Sequence, residues 1–300
     1  MIRGGEMKRT GLGLLLSIIF ICIFCSGSQA IVLDFYDNVA CPPGFYGLAY
    51  YNFYDAPKLK DDSGENVKTA TGDDFDMTMH VLSLRPVVYW KGLNTLWAFN
   101  AVIPFGQMEA RNLTTGEKER STGMGDVLIG PAVFLFQHEK SMTFLSFWEF
   151  VSVPTGDYSR TRAIEGGPNL GYKYWYLQHQ LAFATSFAEK SKVSYDMNVN
   201  YFQKFSTSDL KPGDSMEFEG ILGYGITDSI RVGAYARYWF DLQGSTNYDV
   251  DADKVKIFGA GPSIAYSKEK WGLNLRYIYD FEAENTTKGS QVWLRFNYSF

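Results

Sequence analysis

The sequence predicts an all-β protein, a transmembrane antiparallel β-barrel of about 12 strands behind a cleavable signal peptide. Three observations predict it. Side chains alternate apolar and mixed along run after run, as in the closing Gln291 to Phe300, where Val292, Leu294, Phe296, Tyr298 and Phe300 share one face. Aromatic residues make up 17% of the chain, as interfacial girdles demand. Connections between the runs alternate strictly between short and long, the pattern of periplasmic turns and outer loops in such barrels.

The N-terminus supplies the export signal. Lys8 and Arg9 precede an apolar run from Leu12 to Phe24, and Ser28-Gln29-Ala30 forms a small-x-small cleavage site. The run is shorter than the roughly 20 residues a spanning helix needs, so a membrane anchor is the weaker reading. Cys22 and Cys25 follow Ile21 and Phe24, which argues against a lipoprotein signal. Translation starts at Met1 or Met7. The expected organisation is a signal peptide over 1–30, an N-terminal periplasmic segment or partial plug over 31–44, and a barrel over 45–300.

Cleavage removes Arg3, Lys8, Arg9 and Glu6 from 28 basic and 33 acidic residues, leaving a net charge of −7. Mild acidity argues against a nucleic-acid surface. Only Cys41 survives, so no intramolecular disulfide forms even in an oxidising compartment.

The candidate strands cover 45–55, 75–90, 95–105, 124–137, 142–154, 169–188, 193–205, 216–227, 230–240, 255–266, 271–281 and 290–300. Short connections fall at 91–94, 138–141, 189–192, 228–229 and 267–270. Longer ones, rich in charge, Gly, Thr and Asn, fall at 61–74, 106–123, 155–168 and 241–254. A soluble sandwich has no reason to obey that alternation. An even count brings both ends to one side of the membrane.

Face assignments are sharpest in the second half. Along 230–240, Ile230, Val232, Ala234, Ala236, Tyr238 and Phe240 oppose Arg231, Gly233, Tyr235, Arg237 and Trp239. Along 271–281, Trp271, Leu273, Leu275, Tyr277, Tyr279 and Phe281 oppose Gly272, Asn274, Arg276 and Asp280. An arginine at mid-depth on a lipid face costs about 2 to 4 kcal/mol, so the charged sides face the lumen and pin the register. In 125–136 both parities are apolar; either the lumen is greasy there, or loop residues or the N-terminal segment pack against it.

The expected lumen-lining charges are Arg85, Glu149, Asp196, Glu217, Glu219, Arg231, Arg237, Lys256, Arg276 and Arg295. Two readings are open: a network neutralised across neighbouring strands, or a basic stripe of Arg231, Arg237, Arg276 and Arg295 that attracts an anionic aromatic or carboxylate solute. His80, His138 and His179 have no ligand-spaced partners, so no metal is expected. His138 falls in a turn, and His80 and His179 read as lumen-side or interfacial polar groups. No His-x-Ser pair occurs on a strand, which argues against a barrel hydrolase. Gly123-x-Gly125 lacks the third Gly of a phosphate-binding loop. Neither catalysis nor a cofactor is expected.

Several motifs in order resemble the phenol-degradation meta-pathway outer-membrane proteins across almost the whole mature chain. These are Pro42-Pro43-Gly44-Phe45-Tyr46, Gly123-Met124-Gly125-Asp126 with Gly130-Pro131, Pro154-Thr155-Gly156-Asp157-Tyr158, Asn169-Leu170-Gly171-Tyr172, Gly261-Pro262, Ala283-Glu284-Asn285 and Trp293-Leu294-Arg295-Phe296. The resemblance implies a barrel in the outer membrane of a Gram-negative bacterium, taking up small hydrophobic or aromatic solutes. Tyr298 and Phe300 look like the C-terminal signal read by the barrel-insertion machinery. The rival expectations are a general diffusion porin for polar solutes and a structural or adhesive barrel with partner-binding loops. About twelve strands predict a narrow lumen. Residues 31–44 either enter it as a plug or hang free as a periplasmic tail.

Overall fold

A computed structural model describes residues 32–188 and 191–300; the expected signal peptide lies outside them, as do Ile31, Glu189 and Lys190. The strands are β1 Gly44–Leu59, β2 Met77–Gly92, β3 Thr95–Arg111, β4 Lys118–Met124, β5 Val127–His138, β6 Thr143–Val153, β7 Tyr176–Thr185, β8 Val193–Lys204, β9 Leu210–Lys211, β10 Ser215–Gly225, β11 Ile230–Asp241, β12 Ser245–Asn247, β13 Val250–Ala252, β14 Lys256–Lys268, β15 Trp271–Glu284 and β16 Thr287–Ser299. Twelve of them, all but β4, β9, β12 and β13, pair antiparallel with their neighbours, and β1 closes on β16. Closure leaves no free edge, which the hydrocarbon region requires because no water is there to satisfy an unpaired strand.

Alternation sets the two faces. In β15 Leu273, Leu275, Tyr277, Tyr279 and Phe281 are exposed, whereas Asn274, Arg276, Ile278 and Asp280 are buried. In β16 Leu294 and Phe296 face out while Trp293 and Arg295 face in. Such a cylinder, apolar outside and polar inside, is a transmembrane barrel. The C-terminus is tied in: the Phe300 N–H donates to the Phe45 carbonyl at 3.3 Å, with the two ring centroids 5.4 Å apart.

Pairing lapses at three prolines. Between β2 and β3 it skips from Leu84 to Val87 across Pro86. Between β5 and β6 it skips from Ile129 to Ala132 across Pro131, and between β14 and β15 from Ala260 to Ser263 across Pro262. Proline has no N–H to give the ladder. Gly130 and Gly261 precede two of them; a Cβ on either would overlap the carbonyl of Glu149 or Tyr277 on the adjacent strand.

Two of the expected boundaries are corrected. The segment 106–123, expected as a loop, is a hairpin: β3 continues to Arg111 and pairs with β4. The strand expected over 169–188 begins only at Tyr176, and residues 169–175 form irregular chain. A Cβ on Gly171 would fall 2.7 Å from the Gly156 Cα, so two stretches of backbone touch where a pleated strand has no room. Lys173, at φ 63°, also breaks the extended path.

Candidate functional site: the occluded bore

The long β6–β7 connection folds inward at the outer end of the barrel. It carries the short helix α1, Arg160–Glu165, capped by the Ser159 side chain. The Asp126 carboxylate accepts the Gly156 N–H at 2.8 Å and the Tyr172 N–H at 2.7 Å, fixing both ends of the crossing. Leu170 packs among Met77, Met79 and Met108 on the inner wall, and Tyr174 is buried beside Tyr172, ring centroids 5.3 Å apart.

Asp157 anchors the same loop, accepting from Ser121 Oγ and from Arg162 Nη2, each at 2.6 Å. The Ser121 hydroxyl and then the Arg162 guanidinium hold its carboxyl below the ordinary value of 3.8 against partial desolvation. With the folded value depressed, the anchor is at full strength above pH 3.8 and is lost as pH falls through the lower folded value. Amide protection over residues 158–171, taken relative to the intrinsic exchange rate at each pH, is therefore expected to fall on acidification below that range, and Asp157→Asn should show the lower protection already at neutral pH.

From the other end, residues 32–41 enter the bore. The Leu33 N–H donates to Glu219 Oε1 at 3.1 Å and the Tyr36 N–H to Asp196 Oδ2 at 3.1 Å. Asn38 Nδ2 donates to the Asn198 side chain at 2.8 Å and to the Phe183 and Met197 carbonyls at 3.2 and 3.1 Å. Val39, Ala40 and Cys41 pack against the apolar cluster to which Leu128, Phe134, Trp148 and Phe150 belong, which fits apolar residues on both parities of β5 and β6.

Eight of the ten expected lumen residues lie on the bore face. Asp196, Glu217, Glu219, Arg85, Arg237, Arg276 and Arg295 are buried there; Arg231 sits half-buried at the periplasmic end, donating to Ser194 Oγ at 2.9 Å and stacking over Tyr36. Three of the four arginines of the basic stripe are neutralised, whereas Arg231 meets only neutral groups. Arg276 lies 3.0 Å from Asp34, Arg295 3.4 Å from Asp34 and 2.6 Å from Asp37, and Arg237 3.2 Å from Asp280. Thus the acids come from the entering segment and, for Arg237 of β11, from β15 two strands away.

Glu149 and Lys256 are corrections. Glu149 shares the outward parity of Phe147 and Val151 and meets His179 Nδ1 at 2.7 Å, with the His179 ring stacked on Tyr201. A hydrogen-bonded partner and an aromatic cover lower the cost of a polar group on that face. Lys256 lies on the outer face at the loop end of β14, bonded to Glu282 and Glu284 of β15. His80 is likewise outward, bonded to the Tyr51 hydroxyl at 2.8 Å, while His138 stands at the β5–β6 turn.

The inward loop and the entering segment divide the bore into two cavities. The outer one, ≈ 70 Å³, is bounded by Tyr172, Tyr174, Tyr176, Trp148, Phe202 and Trp239 and by the amides Gln178, Gln180, Asn198 and Asn200. The periplasmic one, ≈ 320 Å³, is bounded by Phe35, Tyr36, Tyr89, Trp271 and Arg295 among others. Asp37 and Arg85 border both. Sequence reasoning missed Asp34 and Asp37, which no strand pattern marks, and the bore-facing tyrosines of the loop.

The family model described as "Putative MetA-pathway of phenol degradation" matches residues 59–296. Among solved structures, an outer membrane channel from Pseudomonas putida F1 is similar over 90% of this chain and 100% of its own, with 17% identity and a TM-score of 0.78. The beta domain of the Bordetella autotransporter BrkA is similar over 86% of this chain and 100% of its own, with 11% identity and a TM-score of 0.52. At these identities the likeness is one of fold, that of Gram-negative outer-membrane barrels. No curated protein matches the chain.

Proposed function

The chain belongs to this phenol-degradation family, and from that premise we propose that it is an outer-membrane channel for passive uptake of small hydrophobic or aromatic solutes, with residues 32–41 as its plug. The observation that carries the reading is the outer cavity, where six aromatic rings form much of the wall and amides, with Arg85, Lys204 and acidic groups at its border, supply orienting polar groups. That mixture suits an aromatic ring that carries a polar substituent.

Size supports gating. A cavity of ≈ 70 Å³ falls short of the roughly 150 Å³ that holds benzene in an engineered protein cavity, so a solute enters only as Tyr172 and Tyr174 or the plug give way. Tyr298 and Phe300 remain the candidate signal for the insertion machinery.

Liposomes containing the folded protein test the proposal. Uptake of toluene and phenol should exceed that of a sugar of comparable size, and Trp148→Ala should slow the aromatics selectively. A large nonselective current would favour a general porin, and no passage of any solute would favour a structural barrel.

A further inference from the structure

Every other deeply buried arginine on the bore face lies within 4.0 Å of a carboxylate: Arg237 by Asp280, Arg276 by Asp34, Arg295 by Asp34 and Asp37. Arg85 does not. It is 6% exposed; its Nε donates to Asn100 Oδ1 at 3.0 Å and its Nη1 to the Tyr50 hydroxyl at 3.3 Å. Its guanidinium lies 5.3 Å from the Trp148 ring centroid. Among the described residues Nη2 has no protein acceptor, and the side chain borders both cavities. Asp37, which also borders both, is bonded to Arg295 at 2.6 Å.

Asp37 acts on Arg85 only through its charge, without a direct bond; a buried cation with no bonded acid is costly, and the cost falls when an anion meets it with aligned hydrogen bonds. The planar guanidinium suits a carboxylate. Arg85 borders a cavity whose walls include Trp148, Tyr176 and Phe202, so the same ligand has an aromatic surface to fill. We propose that Arg85 recognises the carboxylate of an aromatic acid, benzoate-like in size, in the outer cavity once Tyr172 and Tyr174 or the plug have given way; this rests on the reading of the bore as an aromatic channel. Glu217 and Glu219 border the same cavity from β10, bonded to Asn200 and to Asn198 and Tyr235 respectively. They orient the ligand: its carboxylate turns to β2, away from β10. Arg237, Arg276 and Arg295, already paired with acids, are not the anion site, and Arg231 does not border this cavity.

Calorimetry on the folded protein in detergent, with benzoate, benzamide and benzyl alcohol as probes, tests this. Benzoate should bind the parent about tenfold or more tightly than benzamide, its neutral isostere, since a charge-assisted bond separates them. Arg85→Gln should bring benzoate down to the level of benzamide, and Arg85→Lys should keep part of the preference. Equal binding of benzoate and benzamide by the parent overturns the assignment, as does a preference that survives in Arg85→Gln. Should Arg85→Gln not fold, judged by its heat-modified gel mobility, the parent ratio alone decides. Binding of the two neutral aromatics without a benzoate preference sinks only the Arg85 site; binding of none of the three sinks the aromatic channel with it.

Discussion

Deleting residues 31–40 is expected to raise single-channel conductance several-fold and to erase any preference for aromatic over polar solutes. The segment lies between the two cavities, tied to the wall by Asp34 and Asp37 on Arg276 and Arg295 and by backbone N–H groups on Asp196 and Glu219. Its removal merges the chambers and admits water to the bore. It also strips two buried arginines of their acids; breaking a buried pair costs about 3 to 5 kcal/mol in a dry interior, and the flooding that follows deletion lowers that figure. A modest fall in the temperature of heat-modified mobility should therefore accompany the conductance rise. Asp34→Ala, which leaves the chain in place, should give intermittent opening rather than a steady increase. Conductance unchanged by the deletion would show that the segment does not obstruct the path.

Much of the barrel was legible because lipid enforces a strict rule. A period of two with charge on one parity only leaves a single register for 230–240 and 271–281, and β11 and β15 follow it. The rule weakens where the bore is apolar. In β6 the buried parity is Phe144, Ser146, Trp148 and Phe150, so charge alone pointed Glu149 inward, and only the pairing with His179 on β7 explains its outward place. At Lys256 the strand has reached the loop end, where Glu282 and Glu284 replace lipid as neighbours, and the sequence carries no depth gauge. Residues 172, 174 and 176 mimic a strand by alternating tyrosines, yet the contact of Gly171 with Gly156 is set by tertiary folding. The acids paired with the stripe were invisible for the same reason: Asp34 and Asp37 precede the first strand and reach Arg276 and Arg295 across more than 200 residues.

Arg237→Ala is expected to be among the most destabilising single changes in the wall, by about 3 to 5 kcal/mol, read as a lower unfolding temperature in detergent. Its partner Asp280 is fully buried and accepts from Arg237 Nη2 at 3.2 Å, from the Tyr54 hydroxyl at 3.1 Å and from the Gly289 N–H at 3.2 Å. Without the guanidinium, two neutral donors face an unpaired carboxylate on the bore wall. Replacing both partners, Arg237→Met with Asp280→Leu, should recover most of the loss, because a buried ion pair gains little net energy over apolar side chains of similar volume. A double variant as unstable as the single one would assign the loss to the guanidinium's packing instead. Arg237 borders neither cavity, so solute preference in whatever fraction folds should match the parent. Arg85 should behave oppositely, with binding changed more than stability, since no carboxylate is bonded directly to its guanidinium and Asp37 keeps its bond to Arg295.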